Sequence, residues 1–313
     1  MSAVATKPRL GFVGLGWIGR ARMEALVRSG AAEIVGVADP AVPDALDTLD
    51  ELLEHELDGI VIATPNALHA EQALAALERG VAVFCQKPLG RDERETQAVV
   101  RAARDADRLL GVDLSYRYTA AAQALRDAMP SLGDVYAGEL VFHNAYGPDK
   151  AWFYDRASAG GGCVLDLGIH LVDLALWLLD PEVTNVEARL LHHGGHDVED
   201  FAVARLDLDS GATLSLTCSW NLPAGRDCVF DVSFYGSSGG AAMRNVGGSF
   251  YDFRAERVVG TQVETLAAPP DEWGGRALRA WAERLASDRS FDAHVEHVVR
   301  VARVLDAIYG RRG

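Results

Sequence analysis

Short apolar runs alternate with longer amphipathic ones over the first third of the chain. Residues 9–13, 33–38, 59–63, 81–85 and 109–114 read as strands. Helical patterns lie between them: one ends at Arg28, and others cover 68–79 and 91–107. Strands alternating with helices predict βαβ units around a parallel sheet. The pattern changes after Tyr118. Residues 120–129 predict a linking helix, and period-two alternation then sets in at 135–143, 183–192, 202–208, 212–220 and 229–235. Shorter stretches follow at 241–246, 249–254 and 262–266. Such alternation, with turns such as Asp209-Ser210-Gly211, predicts an antiparallel sheet with one open face. Two helices, 271–286 and 293–309, close the pattern. The expectation is α/β plus α+β. A doubly wound parallel sheet occupies 1–118, and a large open, mainly antiparallel sheet occupies 119–313.

One stretch fits neither pattern. Residues 160–177 read GGGCVLDLGIHLVDLALW. The run is apolar almost all round, which predicts a buried helix. Asp166, His170 and Asp173 interrupt it at spacings of four and three. In a regular helix they share one face. A buried carboxylate and imidazole are costly unless paired or used. On these residues alone, mutual structural pairing and chemistry are both open.

The first strand runs into Gly14-Leu-Gly-Trp-Ile-Gly19, and a helical pattern follows. That context is the one a dinucleotide-binding glycine loop requires. The glycines permit a tight turn and a close approach to pyrophosphate, and the helix start offers N–H groups to the phosphates. Asp39 ends the second strand, 20 residues after Gly19. An acid there accepts hydrogen bonds from ribose hydroxyls. Between Arg28 and Arg79 there is no Lys or Arg, while eleven Asp and Glu occur. A 2′-phosphate would meet repulsion, so NAD is expected over NADP. The fourth strand leads into Gln86-Lys87-Pro88. In open parallel sheets ligands gather at the carboxyl ends of strands. Cofactor contacts are therefore expected from Gly14, Gly16, Trp17, Ile18, Gly19, Asp39, Thr64, Pro65, Asn66, His69, Gln86 and Lys87.

Three segments, GFVGLGWIG, ATPNALHAEQALAALERGVAVFCQKPL and SAGGGCVLDLGIHLVDLALWLL, occur in this order. With them the chain resembles the family of glucose–fructose oxidoreductase and inositol dehydrogenase over nearly its whole length. The resemblance implies a Rossmann domain, an α+β domain with an open sheet, and a bound nicotinamide cofactor. It also implies a catalytic set of Lys87, Asp166 and His170. Two features depart from the family. Gln86 stands where the family has Glu before the lysine. Only 19 residues separate Asp39 from the third strand, where the family has a longer helix and an extra strand.

Hydride transfer requires a proton to leave a hydroxyl as the hydride leaves its carbon. His170 can exchange that proton near neutral pH. Lys87 can stabilise negative charge on the same oxygen, and Asp166 can orient the imidazole; the roles of His170 and Lys87 are exchangeable on this reading. Tyr116, Arg117, Trp152 and Tyr154 are candidate substrate contacts, since aromatic walls with a few polar groups suit a sugar or cyclic polyol. The expected function is hydride transfer between nicotinamide and a secondary alcohol or ketone of such a compound. NAD-dependent glycoside cleavage and a non-catalytic sensor are the alternatives.

The chain has 313 residues, 49% hydrophobic and 24% charged, with a formal net charge of −15. It lacks the basic footprint of a nucleic-acid or anionic-membrane binder. No run of about 18 uncharged apolar residues occurs, so no membrane span is expected. The N-terminal residues carry no apolar core of a signal peptide. Cys85, Cys163, Cys218 and Cys228 are scattered and read as reduced thiols. Together these predict a cytoplasmic enzyme. His192, His193 and His196 read as a solvated turn, and no metal site is expected. The open sheet predicts a homodimer or homotetramer.

Overall fold

The computed structural model describes residues 7–311. The chain divides into two compact units. The first runs up to Ser115 and includes Gly274–Arg300. The second comprises Tyr116–Trp273 and the segment from Val301 onward.

The first unit holds β1 (Arg9–Val13), β2 (Glu33–Ala38), β3 (Gly59–Ile62), β4 (Ala82–Cys85) and β5 (Leu110–Val112). All are parallel, in the order β2-β1-β3-β4-β5. Their cores are continuous apolar runs because helices cover both faces; Ile60, Val61 and Ile62 are fully buried. The helix Glu93–Asp105 starts where the Asp92 side chain accepts the Glu95 N–H at 2.7 Å, a capping bond that satisfies an orphan donor.

A single cut near residue 118 does not describe this unit, because it takes back a late helix, Arg276–Ser287. That helix buries Leu278, Trp281 and Leu285 in a cluster with Leu10, Phe12 and Phe84. Trp281 and Phe84 lie 5.6 Å apart, centroid to centroid. The short segment after Asp39 is compact. Leu46 bridges back to Ala38, and a capping box of Thr48 and Glu51 starts the single-turn helix Leu49–Leu52, each side chain satisfying the other's backbone N–H.

The second unit holds β6 (Val135–Asn144), β7 (Val183–Leu191), β8 (Phe201–Leu208), β9 (Thr213–Ser219), β10 (Cys228–Gly236), β11 (Gly239–Asn245), β12 (Phe253–Val259) and β13 (Gln262–Ala267). Their order is β13-β12-β11-β10-β6-β9-β8-β7. Every pair is antiparallel except β6 with β9. Parallel neighbours need a crossover connection, and here several helical segments and two strands intervene. One strand is displaced from its expected place at 249–254. Residues before Phe253 form a loop instead: the Asn245 amide donates to the Ser249 carbonyl at 2.9 Å, and the Ser249 hydroxyl accepts the Tyr251 N–H at 3.1 Å.

The inner sheet face buries Leu140, Phe142, Ala204, Leu206, Phe230 and Phe234. The outer face is mixed. Val141, Thr217 and Val203 share it with Asp231, whose carboxylate pairs with Arg244 at 2.6 Å. Residues Arg156–Leu179 are long and apolar enough to cross a membrane by length and composition alone. They are largely buried within the second unit, as core helices are.

Candidate active site

The expected site residues fall on both units. In the first unit β1 ends in the glycine loop. Gly14 has φ +86°, and a Cβ there would lie 2.6 Å from the Ala63 carbonyl oxygen. Only glycine turns the chain this closely past the end of β3. Asp39 locks the turn. Its Oδ2 accepts the Leu15 N–H at 2.7 Å, and its Oδ1 accepts the Ala41 N–H at 2.9 Å. Each oxygen keeps a lone pair for a ribose hydroxyl. The helix Trp17–Ser29 starts at Gly16, and among the described residues no side chain caps it. Its first N–H groups are thus available to an anion. These features fit a dinucleotide: Gly14, Gly16, Trp17, Ile18 and Gly19 would hold its phosphates and Asp39 its ribose. Trp17 is 69% exposed.

Thr64, Pro65 and Asn66 follow β3, and the Thr64 hydroxyl donates to Gln72 Oε1 at 2.6 Å. His69 is committed inside the protein. Its ring nitrogens face the Pro88 and Thr64 carbonyls, each at 2.7 Å. Burial pushes its pKa down against the upward pull of those carbonyls. His69 thereby ties the loop after β3 to the turn that carries Lys87.

Gln86 shows why a neutral side chain suits that position here. Its Nε2 donates to Asp113 Oδ2 at 2.5 Å, and Arg22 Nε donates to the same oxygen at 2.6 Å. Both Gln86 and Asp113 are buried. A carboxylate at position 86 would face Asp113 with like charge. Arg22 also reaches Ser115 and the Gly274 carbonyl. The sequence reading missed this network. Its one signal was an aspartate ending the apolar run LLGVD.

In the second unit the buried run is not one regular helix. Val164–Gly168 is a π-turn leading into the α-helix Ile169–Leu179. The Ile169 N–H donates to the Val164 carbonyl, five residues back. Such single π-turns concentrate at functional sites. The extra residue in the turn changes the phase, and the three polar groups take different partners. Asp166 is half-buried, and its Oδ2 accepts the Trp220 indole N–H at 3.1 Å. His170 is buried against the Tyr116 ring, at 4.6 Å between centroids. Asp173 is buried and takes both the Nε and Nη2 of Arg117.

Two expected substrate contacts have partners inside the second unit. Arg117 is held by Asp173 and lies over Trp177. Tyr116 stacks on Phe230 at 5.2 Å and backs His170. Of the other two, Tyr154 lies near enough to Asp166 to feel its charge. Tyr154 packs edge-on to Trp220 at 5.6 Å, and Trp152 stacks on Phe153 at 3.8 Å. Burial, Asp149 and Asp166 push the Tyr154 phenol up, so it stays a donor. Trp220 was missed from sequence because it follows an ordinary strand pattern. Among the described residues no group of three or more His, Cys, Asp or Glu is placed to hold a metal.

Residues 8–114 match the family model described as oxidoreductase family, NAD-binding Rossmann fold. Residues 120–242 match the GFO/IDH/MocA C-terminal domain. A protein of Amycolatopsis mediterranei assigned as a UDP-kanosamine synthase oxidoreductase subunit is 34% identical over 75% of each chain. The inositol 2-dehydrogenase of Rhizobium meliloti is 28% identical over 94% of this chain and 90% of its own. Among solved structures, GenD2 from gentamicin A biosynthesis, in complex with NAD, superposes with a TM-score of 0.82 at 25% identity. That match covers 99% of this chain and 95% of GenD2.

Proposed function

This chain belongs to the GFO/IDH/MocA family of NAD-binding oxidoreductases, and we propose that it transfers a hydride between NAD and a secondary alcohol or ketone of a sugar, inositol-like polyol or related compound. The observation that carries the reading is the glycine turn locked by Asp39, with an uncapped helix start behind it. When bound, the nicotinamide supplies the hydride-accepting carbon. His170 exchanges the hydroxyl proton, with Asp166, held by Trp220, setting the local charge. Lys87 stabilises negative charge on the reacting oxygen. The Amycolatopsis and Rhizobium relatives named above are oxidoreductases by name, which favours net redox turnover over glycoside cleavage or a sensor role.

A panel of sugars and inositols followed by NADH absorbance tests the reading. Net NADH from at least one free secondary alcohol is expected. Aglycone release without net NADH would instead make the protein a glycoside-cleaving enzyme.

NAD is preferred over NADP because Asp39 stands just after β2 and the segment beyond it is acidic. In a titration of tryptophan fluorescence, NADH is expected to bind about tenfold or more tighter than NADPH, the equivalent of about 1.4 kcal/mol. Equal affinities would refute the assignment. We further propose a cytoplasmic homo-oligomer. Four free, buried cysteines support a reducing compartment, and the mixed outer sheet face supports association. Light scattering in solution decides the second point, and a monomer would rule it out.

A further inference from the structure

A helix start leaves four backbone N–H groups without partners in its own helix. Before Asp166 these belong to Gly162, Cys163, Val164 and Leu165, and all four find acceptors far away in the chain. Glu199 is fully buried. Its carboxylate accepts the N–H groups of Gly162 and Val164, each at 3.0 Å to Oε1. Its backbone carbonyl accepts the Cys163 N–H at 3.0 Å. The Tyr309 hydroxyl donates to Glu199 Oε1 at 2.8 Å and accepts the Leu165 N–H at 3.2 Å. The Asp166 N–H then donates to the Gly162 carbonyl at 3.0 Å, and the helix begins.

The fit explains the glycines. A Cβ on Gly161 would lie 2.1 Å from the Tyr309 hydroxyl oxygen, and one on Gly162 would lie 1.9 Å from the Glu199 carbonyl oxygen. Arg311 completes the arrangement. Its guanidinium lies 4.3 Å over the Tyr309 ring and donates to the Gly160 carbonyl at 2.6 Å. Burial and the Glu199 charge push the Tyr309 phenol well up, which keeps its donated proton in place. The next residue reaches Asp166 by another route. The Asp200 carbonyl accepts the Trp220 N–H at 2.8 Å, and the Trp220 indole holds the Asp166 carboxylate.

We propose that Glu199 and Tyr309 are positioning residues, which together cap the π-turn and so fix Asp166 and His170 for proton transfer. The proposal rests on the reading of Asp166 and His170 given above. The Gly162 N–H also reaches Glu199 Oε2 at 3.1 Å, so an amide with its oxygen at the Oε1 position would set its NH2 against that N–H. Tyr309→Phe is gentler, removing one donor and one acceptor.

Hydrogen exchange on peptides covering 160–168 tests the cap in the substrate-free protein. Glu199→Gln is expected to speed exchange there about tenfold or more, the equivalent of one net hydrogen bond at about 1.4 kcal/mol. Tyr309→Phe is expected to act mainly at Leu165, and it keeps the test open if Glu199→Gln does not fold. With the best alcohol of the panel, Tyr309→Phe should lower kcat on the order of tenfold, with NADH affinity unchanged. Unaltered exchange in 160–168 or full kcat in Tyr309→Phe would overturn the proposal. So would exchange that rises evenly over the whole chain, which marks lost stability rather than lost positioning. Exchange needs no substrate, so an inactive wild type would count against the reaction and not against the cap.

Discussion

His170→Asn is expected to lower kcat by about 10²–10⁴-fold with the best alcohol of the panel, the range for loss of a positioned acid–base group. Asparagine approximates the volume of the imidazole against Tyr116, so packing is largely kept. It cannot take up and release a proton near neutral pH. The residues that would hold the cofactor, from Gly14 to Asp39, lie in the first unit, and NADH affinity should stay within about twofold of wild type. The limb of the kcat/KM profile that reports the base should disappear as well. Lys87→Met makes the matching test of the cation. If His170→Asn keeps its pH limb while Lys87→Met loses it, the lysine is the proton carrier. Near-full turnover in both variants would remove the pair from the chemistry.

Asp113→Ala is expected to destabilise the protein by about 3–5 kcal/mol, because removing one partner of a buried pair leaves the other charge uncompensated. Asp113 is wholly buried in its side chain, and that of Arg22 is 10% exposed. The guanidinium would keep only Ser115 and the Gly274 carbonyl, neither of which carries charge. Urea unfolding followed by far-ultraviolet circular dichroism measures the loss. A change below about 1 kcal/mol would mean that the pair behaves as a solvent-screened one. Replacing both partners by apolar residues, Arg22→Met with Asp113→Leu, should recover much of the stability. It would not restore Gln86, whose amide donates to Asp113. Catalysis should therefore stay impaired in the stable double variant, since Gln86 precedes Lys87. Recovery of both stability and rate would show that Gln86 needs no anchor.

The elements were largely legible in the chain. Period-two and helical patterns located nearly all the strands and helices, and the glycine loop and Asp39 stood at the ends their chemistry requires. These are local matters. Alternation reports which side of an element is covered, and turn residues act over a few positions. The family resemblance rested on the same local runs, and it pointed to Lys87, Asp166 and His170 without their surroundings.

Tertiary packing decided the surroundings, because they depend on segments that meet only after folding. Glu199 lies 37 residues from Gly162, and Tyr309 lies 144 from Leu165. No periodicity links such pairs. Packing gave Arg117 the Asp173 carboxylate and His69 two carbonyls, partners that the residue types alone did not show. It joined a late helix to the first unit through Trp281. It also widened the turn at Asp166 into a π-turn, since what an apolar run does with its first N–H groups is settled by the acceptors that arrive from elsewhere. Charge showed the same division. Composition showed that acidic groups dominate, while only the fold put a buried aspartate beside Gln86 and so made a neutral residue fit before the lysine.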